Sequence, residues 1–373
     1  MSARVATLPP DVVCVEDYEP LARAVMSDNA WAYISGGAGD ETTVRWNREA
    51  YGHLALSGRV LADLSQAQTR VSLCGTDLDY PILLAPAAYQ CLAHPDGERA
   101  TVEGAGAMGA LTVVSTEASV PLETLAAAAT APLWFQLYIQ HDRDFTHGLV
   151  DRVARAGYRA LVVTVDAPIN GVRDRERRVP VTLPPGIEPV NLRGMIDPPA
   201  YWPSFVDSPL LAGPVRAAPT WRDIEWLRSI SSLPILLKGI MTPADAVRAI
   251  EAGMDGVIVS NHGGRTLDTL PATIDVLAVV AEAVGNRVPV LVDGGIRRGT
   301  DVLKAIALGA SAVLVGRPYV YALAVAGALG VAHVLQMLRA ELEAAMVLTG
   351  CGTLEEIRSQ VRLVRRATGG LRR

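Results

Sequence analysis

The stretch EAGMDGVIVSNHGGRTLD, residues 251–268, holds one full structural period, and its reading decides the fold. A helix-like segment closes on Gly253, a residue suited to the left-handed conformation with which a helix ends and the chain turns back. Four small or β-branched residues, Gly256–Val259, then read as a strand buried on both faces, because no polar residue alternates with them. The run stops at Ser260. Asn261, His262, two glycines, Arg265 and Asp268 follow at once.

The period recurs. Apolar runs stand at 82–86 (ILLAP), 111–115 (LTVVS), 133–137 (LWFQL), 160–166 (ALVVTVD), 234–238 (PILLK), 256–260 (GVIVS), 289–293 (PVLVD) and 312–316 (AVLVG). Helix-closing glycines precede others of them, as in AMGALTVV, RAGYRALVV and ALGASAVLV. Eight β–α units with fully apolar strands predict an α/β fold of the (β/α)8 TIM-barrel type; an open doubly wound sheet is the runner-up. A single domain over 1–373 is expected, with an N-terminal helical cap across the barrel mouth (1–80), the barrel (81–352) and a tail (353–373). After strand 4 comes a long Pro-rich loop, 179–220, which holds ten of the chain's 24 prolines and reads as a lid. Tyr201, Trp202 and Phe205 within it either line a substrate pocket or pin the loop to the surface.

A net charge of −5 gives no electrostatic footing for nucleic acid or an anionic membrane. Cys14, Cys74, Cys91 and Cys351 lack C-x-x-C spacing, so no metal and no disulfide framework is expected. The N-terminal MSARVATLPPDVV has no apolar core of a signal peptide, and a cytoplasmic protein is expected. Residues 319–338 carry no Asp, Glu, Lys or Arg, yet Gly327, Gly330 and Gln336 and the strand just before them predict a buried barrel helix rather than a membrane span. Gly104-Ala-Gly106-Ala-Met-Gly109 satisfies the dinucleotide fingerprint in the wrong order, ending a helix and leading into a strand, and is rejected.

In (β/α)8 enzymes chemistry sits at the C-terminal ends of the strands. There this chain places Tyr138, Asp166, Lys238, Ser260 with His262, Asp293, and Gly316 with Arg317. DGGIRRGTDV (293–302) and VGRP (315–318) combine close backbone approach, helix starts and Arg297 or Arg317, which predicts an anion site for something phosphorylated. His262 suits a general base, with Asp166 to stabilise its cation. Arg265 suits bidentate carboxylate recognition; Arg173 is a second clamp or, with Arg175, Arg177 and Arg178, part of a solvated run. Lys238, one of only two lysines, is either an imine-forming nucleophile or a fixed positive charge beside a cofactor.

SNHGGRTLD, with WFQLY, TVDAP, LKGI, DGGIRRGTDVLKA and GRP, resembles the FMN-dependent α-hydroxy-acid oxidases and dehydrogenases over about residues 18–352. PAAYQ, HPDGE and PLWFQLY look closest to the 4-hydroxymandelate oxidases within that family. The resemblance implies an FMN enzyme that oxidises an aromatic (S)-2-hydroxy acid, mandelate or 4-hydroxymandelate, with O2 reduced to H2O2. Lactate or glycolate oxidation, a quinone-linked dehydrogenase and a non-redox lyase or isomerase using Lys238 are the alternatives. A homotetramer is implied as well. His262 would take a proton from the substrate and Asp166 would support the imidazolium. Arg173 and Arg265 would grip the carboxylate, and Tyr33 and Tyr138 would bond the hydroxyl or carboxylate. Lys238 would sit near flavin N1 and O2. Pro86, Ala87, Ala88, Ser115, Gln136, Thr164 and Ser260 would hold the ring and ribityl chain, and Asp293, Gly295, Arg297, Gly316 and Arg317 the phosphate end. Two positions depart from the family pattern. Thr266 stands where a glutamine is usual, and Glu117 where glycolate oxidases carry a substrate-side tryptophan.

Overall fold

The computed structural model describes residues 7–179, 182–195, 215 and 218–365. Eight parallel strands close a barrel: β1 (Ile82–Leu84), β2 (Thr112–Ser115), β3 (Leu133–Leu137), β4 (Leu161–Thr164), β5 (Ile235–Ile240), β6 (Gly256–Val259), β7 (Val290–Asp293) and β8 (Ala312–Val315). Each pairs with its neighbours in sequence, and β8 returns to β1, so the sheet has no open edge. These are the eight apolar runs of the sequence, and the barrel, not the open sheet, is the fold.

Both faces of every strand are apolar because both are covered. Val113, Trp134, Val162, Leu236, Ile258 and Leu314 fill the barrel, while their neighbours Val114, Phe135, Val163 and Val257 pack outward with the helices. The amide and ionisable side chains of the strands, Gln136, Lys238 and Asp293, lie in their C-terminal halves, and the site follows from that.

The described residues 7–80 do not form one cap across the mouth. Helices Asp28–Ser35 and Thr42–Gly52 belong to the strand-end mouth: Ala38 N–H donates to Gly264 O (2.8 Å), Gly39 N–H to Val172 O (2.8 Å) and Thr43 N–H to Asp268 Oδ1 (2.8 Å). The hairpin Val71–Leu73 with Thr76–Leu78 lies at the opposite end. Leu73 and Leu78 join the cluster inside the barrel, and the Cys74 thiol faces the carbonyl of Asp255, just before β6 begins. An uncovered lower end would leave Leu83, Leu111 and Leu291 facing water, and the hairpin removes that exposure. The segment Leu54–Ser57 pairs antiparallel with Arg362–Arg365, so the tail is tied to the N-terminal region.

The helix Arg317–Thr349, which contains residues 319–338, is long and apolar enough to cross a membrane by length and composition. Most of its apolar window is buried, with Tyr319, Leu323, Val331 and Leu335 in the core. Here the rejected GAGAMG run finds its reason. A methyl group at Gly104 would overlap the carbonyl oxygen of Ala328 in that long helix, and one at Gly106 would overlap Thr130 Oγ1. The glycines bring helix Gly97–Ala107 against its neighbours. Gly104→Ala is expected to cost about 1–3 kcal/mol through overpacking, read as a lower midpoint in urea at unchanged slope.

Candidate active site

A cavity of about 1580 Å³ opens at the C-terminal ends of the strands. Its lining includes Tyr33 from the N-terminal helix Asp28–Ser35, Pro86, Ala87, Ala88, Ser115, Gln136 and Tyr138 from the first three units, Thr164, Arg173, Lys238, His262 and Arg265 from the middle ones, and Asp293, Gly295, Arg297, Gly316 and Arg317 from the last two. Asp166 and Ser260 reach it through the residues they hold. The predicted set thus converges on one chamber.

His262 sits at the turn that follows β6. It and the next two residues all take left-handed backbone, with φ of 57° at His262, 62° at Gly263 and 75° at Gly264. Side chains rarely accept that conformation, so the glycines are required and the histidine is held there by its surroundings. Its N–H donates to Ser260 Oγ (3.1 Å) and its Nδ1 lies 2.9 Å from Asp166 Oδ1. The carboxylate fixes the tautomer with a proton on Nδ1, which leaves the Nε2 lone pair for chemistry. Burial holds the imidazole below its ordinary pKa, assisted by the charges of Lys238 and Arg265 and opposed by Asp166. Burial opposes ionisation of Asp166, but the bond and charge of His262 and the charge of Lys238 prevail and keep that carboxyl below its usual range. A neutral base beside an ionised carboxylate results.

Arg265 is fastened from behind. Nη1 donates to the carbonyls of Tyr33 (2.6 Å) and Gly36 (2.8 Å), and Nη2 lies 3.3 Å from Glu176 Oε1. The guanidinium carbon is 5.1 Å from the centroid of the Tyr33 ring. Among the described residues, Nε–H and one Nη2–H remain unspent, the side-on pair that matches a carboxylate. Arg173 donates from Nε to Arg265 O (3.2 Å) and from Nη1 to Glu176 Oε1 (3.1 Å), so its Nη2 end is left. It stands apart from its neighbours in the run: Arg175 binds Glu41 and Ser35, and Arg177 is exposed. Burial and the charge of Arg173 lower the Arg265 pKa to about 10, leaving it a cation at neutral pH. Burial pushes Tyr33 up to about 12 and raises Tyr138 further, so both are hydroxyl donors.

At the other end Lys238 Nζ donates to Ser260 Oγ (2.9 Å) and lies 3.1 Å from Asp293 Oδ2. Burial acts against its charge, yet Asp293 and Asp166 outweigh burial and hold its pKa above the ordinary value. An imine-forming lysine needs a free amine, and this one is kept protonated. Asp293 Oδ1 and Gln136 Nε2 are buried with no hydrogen-bond partner among the described residues. Gly294 and Gly295, with φ of 96° and 78°, follow β7 and line the same cavity, where the lack of a side chain lets an anion approach the backbone. Arg297 Nη1 bonds Ile296 O (2.9 Å), and Arg317 binds Gly263 O (2.9 Å) and Gly36 O (2.8 Å), so Arg317 also ties the His262 turn to the N-terminal region.

Several members escape a sequence reading. Glu176 is the shared counter-ion of Arg173 and Arg265, hidden inside DRERR. Asn47 and Asn261 exchange amide bonds (2.8 and 2.9 Å), joining the cap to the residue before His262. Thr116 Oγ1 donates to Gln136 O (2.7 Å) and accepts from Tyr138 N–H (3.2 Å), fixing the end of β3. Only a carboxylate among arginines at helical spacing gave any signal. Tyr201, Trp202 and Phe205 lie outside the described residues. Of the 179–220 loop, Val190–Leu192 docks on the turn after β2: Asn191 Oδ1 accepts from Leu122 N–H (3.0 Å) and its Nδ2 donates to Thr116 O (3.4 Å). Thr266 carries no role that the structure explains.

Residues 22–364 match the family described as FMN-dependent dehydrogenase. An L-lactate oxidase of Nostoc sp. is 46% identical over 348 residues, covering 91% of this chain and 95% of its own. A peroxisomal (S)-2-hydroxy-acid oxidase of Oryza sativa subsp. japonica is 45% identical, with 92% and 94% covered. A crystal structure of mandelate oxidase with (S)-2-phenylpropionate superposes with a TM-score of 0.86 at 39% identity, covering 95% of this chain and 98% of that one.

Proposed function

The chain belongs to the FMN-dependent dehydrogenase family, and from that premise we propose that it oxidises an aromatic (S)-2-hydroxy acid, mandelate or 4-hydroxymandelate, to the 2-oxo acid. The coarser assignment, to the FMN-dependent 2-hydroxy-acid oxidases, stands on the family match and the relatives. O2 is the proposed acceptor: hydroxy acid and O2 become oxo acid and H2O2, two electrons and two protons passing in all. One observation carries the reading. The Asp166–His262 pair, with its free Nε2, faces the same chamber as two arginines whose unspent donors suit a carboxylate.

The cofactor of the family is FMN, and the chamber fits it. The unpartnered Gln136 Nε2 answers the amide-like edge of an isoalloxazine, a fixed Lys238 cation suits its electron-rich side, and the unpartnered Asp293 Oδ1 would accept from a hydroxyl of the ribityl-phosphate end. Glycines 294 and 295 with Arg297 and Arg317 suit the phosphate. When bound, FMN supplies the two-electron acceptor. The rest belongs to the chain. Arg265 and Arg173 would anchor the carboxylate and Tyr33 and Tyr138 would orient it. His262 Nε2 would receive the proton, from the α-carbon or, if a hydride moves, from the hydroxyl, with Asp166 holding the resulting cation. Positioning and fixed charge would provide most of the acceleration.

The aromatic preference is supported by the tyrosines of the cavity, Tyr33 and Tyr89 meeting edge to face at 5.7 Å. A lactate- or glycolate-type substrate is the second reading, favoured by the 46% identity to L-lactate oxidase. Anaerobic mixing of the yellow protein with 4-hydroxymandelate, mandelate, lactate and glycolate, then O2, separates them. Bleaching fastest with the aromatic acids and one H2O2 per oxo acid are expected. Equal rates for glycolate and mandelate would defeat the aromatic preference, a dye outrunning O2 would defeat the acceptor, and no bleaching by any 2-hydroxy acid would defeat the whole reading.

A further inference from the structure

Glu117 belongs to the cavity but takes no part in the His262 pair, the arginine grip or the FMN end. It stands two residues past β2, and its charge is felt by Tyr33, Tyr89 and Tyr138. Arg173 and Arg265 are within electrostatic reach, but neither bonds Glu117: part of each guanidinium is held by Glu176 and backbone carbonyls, and the donors left over are those assigned to the substrate carboxylate. Among the described residues the Glu117 carboxylate has no hydrogen-bond or ion-pair partner. Its backbone, by contrast, is pinned. The N–H donates to Ser115 Oγ (3.1 Å), the carbonyl accepts from Tyr89 N–H (3.1 Å), and the residues on either side accept from Asn191 Nδ2 and Val190 N–H. Burial raises its pKa above the ordinary carboxyl value, the sign of a group already stripped of much of its water.

From this placement we infer that Glu117 accepts a hydrogen bond from a donor on the substrate's side chain, so that the enzyme selects 2-hydroxy acids bearing a hydroxyl there over apolar analogues. The inference rests on the 2-hydroxy-acid reading of the same site. A substrate anchored by its carboxylate on Arg265 must lay its side chain within this chamber. An apolar side chain would complete the desolvation of Glu117 and return nothing, whereas a hydroxyl donates to it. Sites built to hold a substrate hydroxyl reject the analogue lacking it far more strongly than apolar pockets reject an added one.

Matched pairs test this: 4-hydroxymandelate against mandelate, and glycerate against lactate, compared by the second-order rate of anaerobic flavin reduction. The FMN-loaded wild type is expected to favour the hydroxyl-bearing member of at least one pair by about tenfold or more. Glu117→Leu should reverse that preference, and Glu117→Gln, which keeps a carbonyl acceptor in nearly the same volume, should retain part of it. Unchanged ratios across the three proteins, with flavin still bound and reduced, would overturn the inference and leave the oxidase reading intact. Absence of flavin reduction by every acid in the wild type would remove both.

Discussion

Replacing His262 with asparagine should lower the rate of anaerobic flavin reduction by roughly 10²–10⁴-fold while FMN remains bound. Asparagine is the informative choice because it accepts left-handed backbone better than most residues, and His262 has φ of 57°. The backbone bond to Ser260 Oγ can persist, so Lys238 keeps its partner and the cofactor end is undisturbed. What is lost is Nε2, the lone pair left when Nδ1 faces Asp166. A variant with full flavin content and near-normal rate would show that the proton leaves by another route.

The pH profile supplies a second reading of the same pair. The base must be neutral, so activity falls as pH drops through the His262 pKa. Burial sets that value below the ordinary histidine range, placing the acid limb of kcat/KM for the free enzyme on the acid side of about 6.5. Asp166 opposes the depression, so Asp166→Asn should move the limb to still lower pH while also slowing the reaction, because the imidazolium loses its partner. A limb displaced to higher pH would contradict the electrostatics.

The eight strands were legible because barrel strands covered on both faces read as unbroken apolar runs, and each run's final polar residue then had only the mouth to occupy. Lys238, Asp293 and His262 could be found in that way. Pairing between distant loops could not. Glu176 meets Arg265 across 89 positions, and Asn47 meets Asn261 across 214, contacts fixed by tertiary packing that leaves no periodic trace. The hairpin under the barrel was missed for a related reason. Its short strands, Val71–Leu73 and Thr76–Leu78, alternate in burial as any exposed hairpin would, and only the closed barrel shows what Leu73 and Leu78 cover. The glycines of the His262 turn were readable as a tight bend, but that the histidine itself adopts left-handed backbone was not.

Arg265 tests the substrate's anchor. Arg265→Met should lower kcat/KM for a 2-hydroxy acid by roughly 10²–10⁴-fold, about 3–5 kcal/mol of transition-state stabilisation, since it removes one partner of a buried charge pair. Because the carboxylate is gripped in ground and transition states alike, much of the loss should appear in KM, with a smaller fall in kcat from poorer alignment. Arg265→Lys is the sharper variant. Lysine restores the charge but neither the fork nor the two bonds to Tyr33 O and Gly36 O, so it should recover little. The methyl ester of the acid offers an internal control. Lacking the carboxylate, it should react poorly with the wild type and lose far less than the acid in either variant, collapsing the acid-to-ester ratio. A lysine variant close to wild type would mean that charge alone suffices. The side-on pair of donors left free by Glu176 and the two carbonyls would then have no function, and Arg173, whose Nη2 end is also unspent, would be the residue that holds the carboxylate.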